Sequence, residues 1–156
     1  MSQCFGCDPR NVSGLGIEFF RDDHGRLAAR CRPSSNHCGL GGIVHGGLVA
    51  TFGEELAAAE AGAHGNAGLL VTRMDINYER PTYAGDEITA VVTNSAADGR
   101  KISATVEIHN TGGRVAVLNA AFVLISEDRL RQLAGIGVAE APECLVAGRH
   151  SLPPSQ

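Results

Sequence analysis

A chain of 156 residues and 16.2 kDa is one domain by length and long enough to bury a core of its own, and its 44% hydrophobic and 19% charged residues suit a globular protein. A net charge of −4 without any run of lysine or arginine argues against a nucleic-acid or anionic-membrane surface, so a phosphate-bearing ligand must be met by a few local basic side chains. The longest apolar run near the end, Val115 to Ser126, is too short to span a bilayer, and the N-terminus lacks a basic start followed by an apolar run, so a cytoplasmic protein with reduced cysteines is expected.

Cys4-Phe5-Gly6-Cys7 opens the chain with the spacing of half a zinc site, but Cys31 and Cys38 supply no matching second pair. A redox pair would want a βαβ setting, which is absent, so the two cysteines are read as small buried side chains of an ordered N-terminal loop, with no metal and no cofactor expected. Asn11 to Gly16 has turn chemistry. A first strand begins at Ile17-Glu18-Phe19-Phe20, and Asp22-Asp23-His24-Gly25 turns the chain into a second strand, Arg26 to Arg32. The loop Pro33 to Gly39 follows, placing Asn36 and His37 within reach of whatever comes next.

What comes next organises the chain. Gly39-Leu40-Gly41-Gly42-Ile43-Val44-His45-Gly46-Gly47 leads into Leu48 to Ala61, about four turns of alanine, leucine and other apolar residues that suit a helix. The first N–H groups of that helix have no intrahelical partner and its dipole favours negative charge, so its start can hold an anion or a developing oxyanion. The segment is apolar almost all round, so it should be buried, and each of Glu54, Glu55 and Glu60 needs its own explanation. At about 100° per residue Glu54 shares a stripe with Gly47 and Thr51, whereas Glu55 lines up with Leu48, Phe52 and Ala59.

After a loop at Ala63 to Gly68, four β-rich segments follow: Leu69 to Arg80, Glu87 to Ser95, Arg100 to His109 and Arg114 to Ser126. Their short Gly-, Asp- and Asn-containing separators predict an antiparallel meander. Ile102, Ala104, Val106 and Ile108 alternate with polar residues, giving that strand one buried face. One apolar helix against an antiparallel sheet is an α+β architecture. Glu127 to Leu133 can close the domain as a short helix, making residues 1–133 the domain and 134–156 a loosely held tail.

Three stretches carry a resemblance. Val44-His45-Gly46-Gly47 with acids nine and ten residues after the histidine, Cys4-Phe5-Gly6-Cys7 with Asn11, Gly14, Leu15 and Gly16, and Tyr78-Glu79-Arg80-Pro81 together resemble the hotdog-fold thioesterases of the phenylacetate-pathway type over residues 4–126. The resemblance implies one long helix wrapped by an antiparallel sheet, and a thioester carbonyl held at the helix start. It also implies an acid on the helix that drives hydrolysis from the neighbouring side of a dimer interface. Carried over, Gly46 and Gly47 are the oxyanion donors, Glu54 is the base or nucleophile, and His45 shapes the turn.

Where many members have Asn or Gln six residues before the histidine this chain has Gly39, leaving Asn36 or His37 to make that contact. The strand hydroxyl that often positions water falls on Val71, with Thr72 one residue away as the candidate. Arg80, Arg100 and Lys101 are candidates for the phosphates of an acyl-CoA; acyl-carrier-protein thioesters are a related possibility. A homodimer, or a tetramer of two dimers, is the implied assembly. Two other readings compete with hydrolysis: a hydratase or dehydratase acting through His45 and a carboxylate, and a non-catalytic acyl-thioester-binding module.

Overall fold

The computed structural model describes residues 4–65 and 68–135, and the expected tail beyond Gly135 lies outside them. The elements in chain order are β1 Glu18–Arg21, β2 Leu27–Cys31, a 3₁₀ turn Ser35–His37, α1 Gly46–Gly62, β3 Gly68–Tyr78, β4 Ile88–Asp98, β5 Lys101–Asn110, β6 Gly113–Ile125 and α2 Glu127–Ala134. The strands form a single six-stranded sheet in the order β1-β2-β4-β5-β6-β3, and every pairing is antiparallel. Helix α1 packs on strands β2 to β6, so this is the α+β hotdog arrangement of one long helix held by a curved sheet.

The expected meander is correct only for β4-β5-β6. Strand β3 crosses to the far edge and pairs with β6 instead of β4. The reason is in its connection. The segment after β3 is pinned to the loop before α1 rather than folded into a hairpin: the Val44 and Ala84 amides donate to the Thr82 and Gly42 carbonyls, and the Gly85 amide donates to the Pro33 carbonyl. A connection held across the helix start cannot also be a tight β3–β4 turn.

Alternation explains the core. Ile102, Ala104, Val106 and Ile108 of β5 are all buried, as are Val115, Leu118, Ala120 and Phe122 of β6. They meet Phe52, Leu56, Ala57 and Ala61 of α1, each fully buried. Burying a side chain of the size of Phe52 or Leu56 stabilises the fold by about 1.5–3 kcal/mol relative to leaving it exposed. Gly53 lets the helix approach closely, because a Cβ there would lie 3.0 Å from Ile108 Cδ1 and 3.1 Å from Leu118 Cδ1. Opposite this packed interior, β3 is an edge strand, with Leu70, Val71, Met74 and Tyr78 exposed.

Candidate active site

The start of α1 is shaped by its glycines and by two histidines. Gly41 and Gly42 take positive φ values of 60° and 80°, a conformation that β-carbon-bearing residues adopt at a cost, and let the chain fold back so that the Gly39 amide donates to the Ile43 carbonyl. His37 is buried. Its Nδ1 accepts from the Ser34 amide at 3.0 Å and its Nε2 lies 3.3 Å from the Ser13 carbonyl, which fixes the proton on Nε2. Its own carbonyl accepts from the His45 amide at 2.9 Å, so the buried ring anchors the residue that begins the helix.

His45 is the N-cap of α1, and its Nδ1 accepts from the Gly47 amide at 2.9 Å. The Leu48 amide donates to the His45 carbonyl. Among the described residues the Gly46 N–H has no hydrogen-bond acceptor, so the donor expected from the pair of glycines is Gly46, and Gly47 is occupied by its cap. Tyr78, at the end of β3, donates its hydroxyl to the Gly46 carbonyl at 2.7 Å. A Cβ on Gly46 would lie 3.4 Å from the Tyr78 ring and hydroxyl, so the glycine admits the tyrosine. A pocket of ≈ 330 Å³ opens beside Gly46 and Tyr78, with Ile43, Val49 and Val115 among its apolar walls and Arg80 at its rim.

The helix covers Gly46–Gly62, so Gly47, Thr51 and Glu54 share one stripe. Thr51 Oγ1 donates to the Gly47 carbonyl at 2.9 Å, and Glu54 continues that stripe, half-buried and outside the lining of the pocket. Burial holds the Glu54 carboxyl above its ordinary pKa, and Cys4 of the N-terminal loop adds to the rise. A carboxylate so placed is a stronger base near neutral pH than a solvated one. Glu60 is explained separately, since it accepts from Ser95 Oγ at 2.8 Å. Glu55, on the stripe of Leu48, Phe52 and Ala59, is covered by its own chain's N-terminal loop, with Cys4 Sγ 3.9 Å from Oε1.

The family model of the thioesterase superfamily matches residues 41–117, which run from the glycine turn before α1 through β3, β4 and β5 into β6. Over that span, just under half of its length, the chain is similar to the thioesterase superfamily. The fold is shared with the PaaI protein of the E. coli phenylacetic acid degradation operon, at 23% identity and a TM-score of 0.60, covering 72% of this chain and 81% of that one. It is shared also with a Haemophilus influenzae thioesterase, at 18% identity and a TM-score of 0.63 over 77% of this chain and 85% of that one. AziG of S. sahachiroi is similar at 23% identity and a TM-score of 0.63, over 72% and 93% of the two chains. No curated protein matches the sequence.

The remaining candidates do not all converge. Asn36 is exposed in the 3₁₀ turn, while both ring nitrogens of His37 are engaged, which makes His37 a positioning residue rather than a substrate contact. Arg80 lines the pocket, but its Nε donates to the Arg114 carbonyl at 2.8 Å and its Nη1 to the Gly112 carbonyl, so two of its donors hold the β5–β6 turn. Thr72 sits at a bulge between Val71 and Arg73 and donates to the Ala121 carbonyl at 3.0 Å. The bulge changes which face residues on either side of it present, and simple alternation could not have revealed that.

Arg100 and Lys101 lie at the other end of the sheet. Lys101 and Leu70 both pair with Val123, whereas Gly46 meets Tyr78, eight residues further along β3 and about 26 Å away at 3.3 Å per residue. Tyr78 is the residue that sequence reasoning passed over. It was visible as part of a motif at the end of a strand, but nothing in strand periodicity says which end of β3 meets the helix start.

Proposed function

We propose that the chain is an acyl-CoA thioesterase, in which the Gly46 N–H holds the thioester oxygen and Glu54 drives attack on the carbonyl carbon. The observation that carries this reading is a helix N-terminus with one unengaged amide above a half-buried carboxylate whose affinity for protons is raised. Glu54 lies two turns below Gly47, about 10 Å along the axis, and helical side chains lean toward the N-terminus, which leaves space for a thioester carbonyl and a water. The helix dipole and the amide oppose the negative charge that develops on the oxygen. The apolar pocket beside Tyr78 receives one arm of the substrate.

His45 supports hydrolysis over hydration. Its Nδ1 is spent on capping the helix, so the ring serves the oxyanion site by shaping it. The substrate is a thioester of CoA, met by Arg100 and Lys101 of a second copy in a homodimer. Release of free thiol from aryl-, short-, medium- and long-chain acyl-CoAs, with carrier-protein thioesters alongside, tests the reading. Hydrolysis of at least one of them that disappears in Glu54→Gln is the expected result. No thiol release from the whole panel by a folded protein would overturn it.

A further inference from the structure

The N-terminal loop holds a group of donors that the hydrolytic reading does not use. Cys4 and Cys7 bring their sulfurs to 3.2 Å, and Cys4 Sγ lies 3.9 Å from Glu55 Oε1. All three donor atoms lie within 4.8 Å of one another, although Glu55 is 51 residues away from Cys4 in sequence.

The placement is built by the backbone. The Asp8 amide closes a turn onto the Cys4 carbonyl, and the Leu15 and Ile17 amides fasten the Phe5 and Gly6 carbonyls, so the Cys-x-x-Cys turn is strapped down at successive residues. Two glycines permit the approach. A Cβ on Gly6 would lie 2.4 Å from Glu55 Cδ, and one on Gly14 would lie 2.5 Å from the Phe5 carbonyl oxygen.

We propose that Cys4, Cys7 and Glu55 bind one divalent metal ion of the zinc class, which ties the N-terminal loop to α1. With zinc–sulfur bonds of about 2.3 Å and zinc–oxygen bonds of about 2.0–2.2 Å, a tetrahedral ion needs its sulfurs about 3.8 Å apart and each sulfur about 3.6 Å from the oxygen. The sulfurs, at 3.2 Å, must part by about 0.6 Å, Cys4 Sγ, at 3.9 Å, must approach Oε1 by about 0.3 Å, and Cys7 Sγ lies within 4.8 Å of the carboxylate, movements within reach of side-chain rotation. Water takes the fourth position.

The same pair is poorly suited to redox work. Reactive dithiols sit in electropositive surroundings, and the side chains that α1 turns toward this loop are the carboxylates of Glu54 and Glu55. A cation is what two sulfurs and a carboxylate together recognise. The other described cysteines are differently engaged: burial pushes the Cys31 thiol up to about 12, and Cys38 Sγ donates to the Gly42 carbonyl at 3.3 Å. The expectation of no metal, drawn from the missing second cysteine pair, is thereby revised, because the third ligand comes from the helix. This inference stands apart from thioester hydrolysis and does not depend on it.

The test uses the full-length chain, reduced and stripped of metal, titrated with Co²⁺ and then with Zn²⁺ against a chromophoric chelator. One Co²⁺ per chain is expected, with tetrahedral ligand-field bands and a thiolate charge-transfer band that Zn²⁺ abolishes. Cys4→Ser and Cys7→Ser should each remove the charge-transfer intensity of one sulfur and weaken Zn²⁺ binding at least tenfold. Glu55→Gln should weaken it by a similar factor while Glu54→Gln leaves it within twofold. Zn²⁺ should also raise the melting temperature of the wild type and not of Cys4→Ser/Cys7→Ser. A wild-type protein that is folded by circular dichroism and shows no thiolate–cobalt band would overturn the proposal, as would a band that survives in Cys4→Ser/Cys7→Ser.

Discussion

Two adjacent glutamates in α1 are set apart by a rotation of about 100° about the helix axis. Glu54 lies on the stripe of Gly47 and Thr51, and Glu55 turns under the N-terminal loop to Cys4. Replacing Glu54 with Gln keeps the shape and removes the base, so kcat for acyl-CoA hydrolysis should fall about a hundredfold or more with the fold intact. The raised pKa adds two further expectations. In the wild type the acid limb of the kcat/KM profile should lie above the ordinary glutamate range, since the proposed reaction uses Glu54 ionised and burial raises its pKa. For stability the sign is opposite. A carboxyl whose pKa is raised on folding contributes stability fully below its unfolded pKa, and that contribution is lost as pH rises through the folded pKa. Glu54→Gln should therefore melt no lower than wild type at neutral pH, and its relative advantage should disappear in acid. A variant clearly less stable at neutral pH would contradict the burial argument. His45 offers a second check. His45→Ala should lose about 1 kcal/mol of stability with the cap, while His45→Asn, whose side-chain oxygen can accept from the Gly47 amide, should recover most of it in chemical denaturation.

At the scale of elements, α1 and the strands were legible because each has one dominant period. The run from Leu48 to Ala61 is too apolar for a surface helix, and Ile102 to Ile108 alternates too regularly for anything but a strand; both lie where the residues predicted. The shared stripe of Gly47, Thr51 and Glu54 follows from the helix period alone. Three features were not legible. The pairing of β3 with β6 depends on a connection fastened across the helix start, a long-range fact with no local signature. The Thr72 bulge inserts one residue that alternation alone cannot see. The meeting of Cys4 with Glu55 needs two distant segments and the small volume of Gly6 between them. Glycine also sets the helix–sheet distance. Gly53→Val places a branched side chain against Ile108 and Leu118, and this overpacking should cost about 1–3 kcal/mol, measured by urea unfolding. Unchanged stability in that variant would mean that α1 can move away from the sheet without loss.

At the scale of the molecule, the sheet has two edges, the four-residue β1 and β3, an 11-residue strand paired with β6 on one side and with Leu70, Val71, Met74 and Tyr78 exposed. Such an edge is a template for another strand unless it is blocked or covered. The proposed homodimer would cover the β3 edge if a two-fold axis at Met74 paired two copies antiparallel, which would set Leu70 of each opposite Tyr78 of the other. That geometry has a functional consequence. Within one chain Lys101 is at the level of Leu70 and far from Gly46, but across this axis the Leu70 end of a second copy reaches the Tyr78 end of the first. In the proposed dimer Arg100 and Lys101 of the second copy would then approach the pocket, whose one basic lining residue among the described residues, Arg80, already donates to the Arg114 and Gly112 carbonyls. Light scattering at micromolar concentration should report a dimer or a tetramer. Val71→Asp/Met74→Asp should shift it to monomer and abolish hydrolysis, although neither residue adjoins Glu54. Arg100→Glu/Lys101→Glu should leave the assembly unchanged and raise KM for an acyl-CoA about tenfold or more, with little effect on a thioester of the same acyl group that lacks the CoA phosphates. Equal effects on both substrates would place the damage in the fold and not in phosphate recognition, and a wild-type protein that is active as a monomer would remove the axis altogether.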